Sequence, residues 1–438
     1  MHKRILLFFC FFTYCIALGQ MDSSWKSKKN KITIPFEFSS NLIQINILVN
    51  NVRLKVILDT GSTNNILFSF NLNDSIKLNN QVKTKVYGIG IGNTIEAFMS
   101  KNNNLKIKEY ETNDFSILTI SKNNIGFLTK LGKEINGVIG FSFFKDRLIE
   151  IDYEKNELII HKNRQYLKRQ KIKKFTKQKI KIINNKPYLT INSTIDEATL
   201  QLNLLLDTGM SDGLWLFKND TLRGSKVFIN DYLGFGLAGE IFGKRSRIKN
   251  VKLSNFQFND VLVAYPDSLS FKNINITDNR NGSLGSEIIK RFHVLIDYKN
   301  ETLYLKKNKY FNDPFNFNMS GLDIKHSGIE YVKEEITLNS SIVYTNILNN
   351  YISNISHHYK FSFKPVFIIS NVKENSNAHK EGVLPEDKII SINDQKANNF
   401  TLQQIIELFQ SKEGRKIKLE LERNEQIIIV EFFLQKII

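Results

Sequence analysis

Two copies of one short motif carry the groups in this chain best suited to chemistry: Leu58-Asp59-Thr60-Gly61 and Leu206-Asp207-Thr208-Gly209. Each ends an apolar run, residues 54–58 and 202–206. A carboxylate at the end of a buried strand is costly unless it is paired or hydrogen-bonded. Two such acids make sense if they face each other and share one proton, because like charges about 3 Å apart cannot both ionise. One carboxylate then serves as base for a bound water, and its protonated partner hydrogen-bonds the carbonyl of the substrate. This chemistry needs no metal, no cofactor and no covalent nucleophile. Asp59 and Asp207 are therefore the expected catalytic pair. Thr60 and Thr208 follow the acids, where a hydroxyl can bond the backbone of the opposite loop. Gly61 and Gly209 permit the tight turn and keep their N–H groups accessible to the carboxylates.

The elements that position these acids repeat with them. The two Asp are 148 positions apart, Gly88-Ile89-Gly90 and Gly234-Phe235-Gly236 are 146 apart, and Gly137-Val138-Ile139-Gly140 precedes Gly282-Ser283-Leu284-Gly285 by 145. Ile151-Asp152-Tyr153 and Ile296-Asp297-Tyr298 keep the same 145 offset. Two long similar units, far larger than solenoid repeats, imply two lobes related by an approximate two-fold axis. Each reads mainly as strand. Residues 42–49, a turn at Asn50-Asn51, and residues 54–58 form a hairpin feeding Asp59. In the second unit, residues 188–191 lead to 200–206, where alternate Leu residues mark one face in a core. Short helices are expected at 141–145 and 286–291, each followed by a strand and a hairpin turn.

Composition bounds the rest. The 438 residues suggest two or three domains, and 42% hydrophobic with 24% charged residues describes a folded protein. Lys3 and Arg4 precede an apolar run over residues 5–18, and Ala17-Leu18-Gly19 suits a signal peptidase, so residues 1–19 are expected to be a signal peptide. The run is shorter than the roughly 20 residues a bilayer needs, so no stable membrane insertion is expected. Cys10 and Cys15 both lie in this leader and follow bulky residues, against a lipoprotein and against disulfides in the mature chain. The protein is expected in the periplasm or secreted. The net charge of +18 reads as a lysine-rich solvated surface, since no nucleic-acid motif accompanies it. The densest patch, residues 162–179, has nine Lys or Arg and no acid, and reads as an exposed connection between the lobes.

At both Asp-Thr-Gly sites, and at the downstream Val138-Ile139-Gly140 and Ser283-Leu284-Gly285, the chain resembles the single-chain, two-lobed, retropepsin-like aspartic peptidases. The resemblance covers about residues 32–308, with lobes at 32–162 and 175–308, and implies two β-barrel lobes that hydrolyse peptide bonds in a polypeptide substrate. One departure stands out. Ser62 follows the first motif, where a hydroxyl could support the carboxylate, whereas Met210 follows the second and cannot. Tyr87-Gly88-Ile89-Gly90 is placed to form a glycine-tipped flap closing over substrate. Residues 233–239 repeat it, and are expected to be a shortened hairpin that does not cover the cleft. Their dinucleotide-type spacing, Gly234, Gly236 and Gly239, lacks the strand–helix context that such a site needs.

After Lys309 the character changes. Residues 317–438 resemble a PDZ module of the bacterial arrangement, through Asn375-Ser376-Asn377-Ala378-His379-Lys380-Glu381-Gly382-Val383 and Asp387-Lys388-Ile389-Ile390-Ser391-Ile392-Asn393. An insertion over residues 326–364 separates its first strand from the next. Gly321, Leu322, Asp323 and Ile324 would form the loop and strand that capture a peptide C-terminus, with Leu402 and Ile405 on the facing helix. A PDZ fold that only packs against the lobes is the other reading. The seven histidines show no metal-binding spacing, and Gly140-Phe141-Ser142 does not complete a nucleophile elbow. The whole chain is expected to be mainly β, a monomer, and an exported aspartic endopeptidase. The rival is a non-catalytic protein whose lobes clamp an extended peptide.

Overall fold

The computed structural model describes residues 25–436 except 70–75, 93, 122–134, 196, 220–221, 273, 275, 277–278 and 338–356. Residues 1–24, which include both cysteines and the expected signal peptide, lie outside the described residues. The fold is mainly β, with two pseudo-symmetric lobes followed by a PDZ domain.

Each lobe is built on an eight-stranded sheet, and the strand order is the same in both. In the first it runs Glu37–Ser39, Leu42–Val49, Val52–Leu58, Gly137–Ile139, Ile66–Ser69, Tyr110–Ser121, Ile95–Ile107, Val82–Val86. In the second it runs Lys181–Ile183, Lys186–Ile195, Ala198–Asp207, Gly282–Gly285, Leu214–Leu216, Phe256–Pro266, Gly239–Leu253, Ile229–Gly236. The hairpin feeding Asp59 turns at Asn50 and Asn51, with φ of 45° and 68°. Two consecutive left-handed residues match the twist of the flanking strands, and Asn adopts that conformation at low cost. Val49 then pairs with Val52 and Gln44 with Ile57. Ile43, Ile45, Val56 and Leu58 are buried in the main core cluster, and burying each such side chain contributes about 1.5–3 kcal/mol.

A third sheet joins the halves, in the order Lys31–Pro35, Glu157–His161, Leu148–Asp152, Phe292–Asp297, Thr302–Lys307, Thr176–Lys179. Its middle pair runs antiparallel, with Glu150 opposite Leu295, so the pseudo-axis passes through two equivalent positions. Glu150 is buried and bridges His161 Nε2 at 2.6 Å and His293 Nε2 at 2.7 Å. Burial pushes its carboxyl up, but hydrogen bonds from both histidines outweigh that and hold it at about 2. The basic stretch 162–179 is more than a connection. Its last residues, Thr176–Lys179, complete the joining sheet against Thr302–Lys307, and Arg164 pairs with the fully buried Asp297 at 2.9 Å. The helices near 141 and 286 are single turns, Phe141–Phe144 and Ser286–Ile289.

The PDZ domain has its own core, including Leu322, Phe367, Ile389, Ile405, Phe409, Leu419 and Phe432. The insertion of residues 326–364 is largely an extension of its first two strands. Leu322–Thr337 and His357–Val372 pair antiparallel as far as Thr337 opposite His357, and residues 338–356 lie outside the described part. The domain touches both lobes. Lys373 Nζ meets Asp231 Oδ1 at 2.7 Å in the second lobe, and Gln403 Oε1 accepts from Ser40 N at 3.0 Å in the first.

Candidate active site

The pairing in the two sheets brings Asp59 and Asp207 together at the lobe interface. Each Asp-bearing strand runs parallel to a short strand behind it, Leu58 beside Ile139 and Asp207 beside Gly285. The loops are locked to each other by their threonines, both fully buried. Thr60 Oγ1 donates to Leu206 O at 2.6 Å and accepts from Thr208 N at 3.0 Å. Thr208 Oγ1 donates to Leu58 O at 2.8 Å and accepts from Thr60 N at 3.0 Å. The glycines are required for closeness. A Cβ on Gly61 would lie 2.7 Å from Asp207 Cγ, and one on Gly209 would lie 2.4 Å from Asp59 Cγ. Each carboxyl is therefore seated on the other lobe's glycine.

The Asp59 and Asp207 side chains lie close enough to act on each other across the lobe interface. Asp59 is pushed well above the usual carboxylate range, by burial first and then by the charge of Asp207. Asp207 is also raised by burial, but the nearby charge of Arg280, the bond from Asp59 and the charge of Lys186 pull it back. Both acids are raised, Asp59 the more strongly, so the pair holds one proton between them. Asp59 Oδ1 accepts from Gly61 N at 2.7 Å and Ser62 N at 3.1 Å, and Asp207 Oδ1 accepts from Gly209 N at 3.0 Å. The expected role of the Ser62 hydroxyl needs correction: Ser62 Oγ donates to Asn64 O at 2.7 Å, and only the backbone N–H of Ser62 reaches the acid. Met210 is buried in an apolar cluster of the second lobe, its side chain against Gly285.

The glycine hairpins differ from expectation in the second lobe. Strands Ile229–Gly236 and Gly239–Leu253 form a long hairpin, paired out to Gly236 opposite Gly239, and its tip meets the first-lobe tip. Gly92 N donates to Ala238 O at 2.7 Å, Ala238 N to Ile89 O at 3.0 Å, and Ile91 N to Glu240 O at 3.2 Å. Gly88 and Gly90 lie against Leu237, Ala238 and Gly239, where a Cβ would collide, and Tyr87 is exposed. The tips are exchanged. Ile89 packs into the second-lobe cluster of Met210, Trp215, Leu233 and Phe271, while Leu237 and Ala238 pack into the first-lobe cluster of Leu42, Ile57, Ile66 and Phe68.

Sequence reasoning missed the charged residues around this site. Lys186 and Arg280 both act electrostatically on Asp207, and Lys186 also on Asp59. Arg245, on the second-lobe hairpin, joins Asp212 of the active-site loop at 3.0 Å to Asp231 at 2.7 Å, and Asp231 in turn holds Lys373. Residue-by-residue alignment of the two units would have exposed Lys186 and Arg280, which fall opposite Leu42 and Ile135.

Of the residues expected to form a peptide-capturing groove in the PDZ domain, Leu322, Asp323 and Ile324 open the strand Leu322–Thr337, which lies at the edge of its sheet. Leu402 and Ile405 are buried in the domain core with Leu322, because the apolar face of the helix turns inward. The donors of the loop are engaged locally: Met319 N bonds Phe409 O, Ser320 N bonds Asn318 Oδ1, and Leu322 N bonds Ser320 Oγ. Gly321, with φ of 76°, is packed on Ser376, and Ile324 is partly buried against the core. Asp323 accepts from Asn371 at 3.1 Å and lines a cleft of about 1120 Å³ between the domain and the second-lobe hairpin. Among the described residues, no group of three or more His, Cys, Asp or Glu could hold a metal, and no helix is long and apolar enough to cross a membrane.

These features define a class: a retropepsin-like aspartyl-protease framework followed by a PDZ domain. Residues 45–143, which include Asp59, match the family model described as aspartyl protease, and residues 368–423 match that of the PDZ domain. Among solved structures, an aspartic proteinase from Irpex lacteus is similar, at 12% identity over 65% of this chain and 100% of that one, with a TM-score of 0.45. No curated protein matches the chain in sequence.

Proposed function

We propose that this protein is an exported endopeptidase that hydrolyses peptide bonds in extended polypeptides by a water activated between Asp59 and Asp207. The observation that carries this reading is the meeting of two buried acids from different lobes, each carboxyl seated against the other lobe's glycine and both loops locked by the Thr60–Thr208 bonds. In the reaction Asp207, the ionised member, takes a proton from water as the oxygen attacks the carbonyl carbon. The proton on Asp59 bonds the carbonyl oxygen as it gains charge. The tetrahedral intermediate then collapses as a proton passes to the leaving nitrogen, and the dyad recovers one shared proton. Activity on this scheme fails at high pH, where Asp59 loses its proton, and at low pH, where Asp207 gains one.

Export rests on the basic start and apolar run of residues 3–18, and places the enzyme in the periplasm or outside the cell. The contacts of Lys373 and Gln403 with the two lobes support a packing role for the PDZ domain, and its edge strand Leu322–Thr337 supports peptide capture as the other reading. The test is cleavage of an unstructured polypeptide by purified protein lacking the leader. Asp59→Asn and Asp207→Asn should each abolish cleavage while leaving circular dichroism and the thermal transition cooperative. Undiminished cleavage by either variant refutes the mechanism, and tight peptide binding without turnover by the wild type favours the clamp reading.

A further inference from the structure

The two lobes share one strand order, so their cleft-facing pockets can be compared position by position. In the first lobe, Leu42 stands two residues before Gln44, which pairs with Ile57 on the Asp59 strand. In the second, Lys186 stands two residues before Tyr188, which pairs with Leu205 on the Asp207 strand. Leu42 and Lys186 therefore occupy the same place. Ile135 and Arg280 correspond as well. Each precedes an Asn whose Oδ1 accepts from the Asp-bearing strand at 2.8 Å, from Lys55 N to Asn136 and from Asn203 N to Asn281. Val138 and Ser283 are the third pair, beside Ile57 and Leu205 respectively.

The exchanges all run one way. Leu42 and Ile135 are buried in an apolar cluster, with Val138 packed against it. Their counterparts are Lys186, Arg280 and Ser283. Arg280 is buried and held in a fixed pose: Nε donates to Gly282 O at 3.0 Å, Nη2 donates to Ser283 Oγ at 2.6 Å, and the guanidinium lies 5.1 Å from the ring centre of Phe217. Neither Lys186 nor Arg280 has an ion-paired carboxylate within salt-bridge distance among the described residues. A singly ionised dyad supplies one negative charge against these two positive ones, which leaves a net positive charge at the buried Arg280 and the half-buried Lys186. Buried charge of this kind is costly unless an opposite charge arrives to meet it.

We propose that the second-lobe pocket is a carboxylate subsite, which accepts an Asp or Glu side chain from the residue on one side of the scissile bond, while the first-lobe pocket takes an apolar side chain. Lys186 and Arg280 are the specificity-determining residues, with Ser283 orienting Arg280. The exchanged tips support the assignment of both pockets as substrate space. Leu237 packs into the cluster of Leu42, Ile135 and Val138, and Ile89 into the cluster that includes Phe217, the ring against which Arg280 lies. This inference rests on the hydrolase reading above.

The test is a peptide library cut by wild-type protein, with cleavage positions read by mass spectrometry, then kcat/KM for matched peptides carrying Glu, Gln or Leu at the preferred position. The wild type should favour Glu over Gln at least about tenfold, as expected when a charge-assisted hydrogen bond replaces a neutral one. Lys186→Leu and Arg280→Ile, which install the first-lobe residues, should each cut that ratio to about threefold or less and raise the relative rate on Leu. Lys186→Arg should keep the preference. Lys186 is only partly buried, so its variants test the idea even if Arg280→Ile does not fold. Cleavage with no acidic preference, or a ratio unchanged in Lys186→Leu, overturns this inference and leaves the hydrolase intact. Absence of any cleavage overturns the hydrolase reading and this inference with it.

Discussion

Replacing Thr60 by Val offers the sharpest measure of what joins the active-site loops. The exchange keeps the shape of the side chain and removes one oxygen. That oxygen donates to Leu206 O and accepts from Thr208 N, both at a fully buried position. Two backbone groups would be left unpaired away from water, and each such loss costs about 1–3 kcal/mol. The expected destabilisation is therefore about 2–6 kcal/mol, with Thr60→Ser within about 1 kcal/mol of wild type because its hydroxyl can make the same bonds. Thr208→Val should behave alike, since it strands Leu58 O and Thr60 N. The double variant should cost less than the sum, because one broken pair lets water reach the other. Urea denaturation followed by tryptophan fluorescence is a suitable assay, as Trp215 bonds Asp212 of the second active-site loop at 2.7 Å. In the same variants kcat should fall more than KM rises, because the loops set the distance between the acids. A Thr60→Val protein within about 0.5 kcal/mol of wild type would show that the lock contributes nothing, and the argument from buried pairing would be wrong.

Three further outcomes can be checked directly. Gly61→Ala should inactivate the enzyme by at least about a hundredfold in kcat, since its Cβ would fall 2.7 Å from Asp207 Cγ; near-normal turnover would contradict the seating of the carboxyls. Glu150 has a folded pKa of about 2, below its unfolded value, so its contribution is present above pH 4.5 and lost as pH falls toward 2. Glu150→Gln should lose up to about 3 kcal/mol at pH 6 and show a flatter stability profile between those limits, measured by denaturation at each pH. Lys373→Met should free the PDZ domain from the second lobe, because Asp231 keeps Arg245 but loses its link to that domain; faster limited proteolysis near residues 309–317 would report it, and unchanged resistance would count against docking through this pair.

Much of the fold was legible because it depends on local rules. The Asn50-Asn51 turn, the strands feeding both acids and the capping box that opens the helix at Leu402 follow from backbone preference and periodicity. The repeat offsets also located the paired Asp-Thr-Gly loops. What sequence reasoning missed depends on which surface meets which. The hydroxyl of Ser62 has several acceptors in reach, and only the folded turn selects Asn64 O. Apolar spacing marked one face of the Leu402–Phe409 helix but could not say whether that face lines a groove or a core. The second-lobe hairpin looked short because its glycines resemble plain turns, whereas its length comes from pairing with residues up to Arg245. The cationic pocket was present in the sequence all along, visible as mismatches between the two halves rather than as matches.

The exchange of the hairpin tips gives the resting molecule a double bolt, each half held shut by the other. Ile89 cannot leave its seat without disturbing the Ile89–Ala238 bond that also steadies Leu237, so release of the two arms is concerted. On the proposed function, a polypeptide would reach the acids only during the fraction of time that both arms are withdrawn, and its apparent affinity would be reduced by that fraction. The same reading would spare compact proteins nearby, because a stretch of chain must already be slack to enter in so brief an interval.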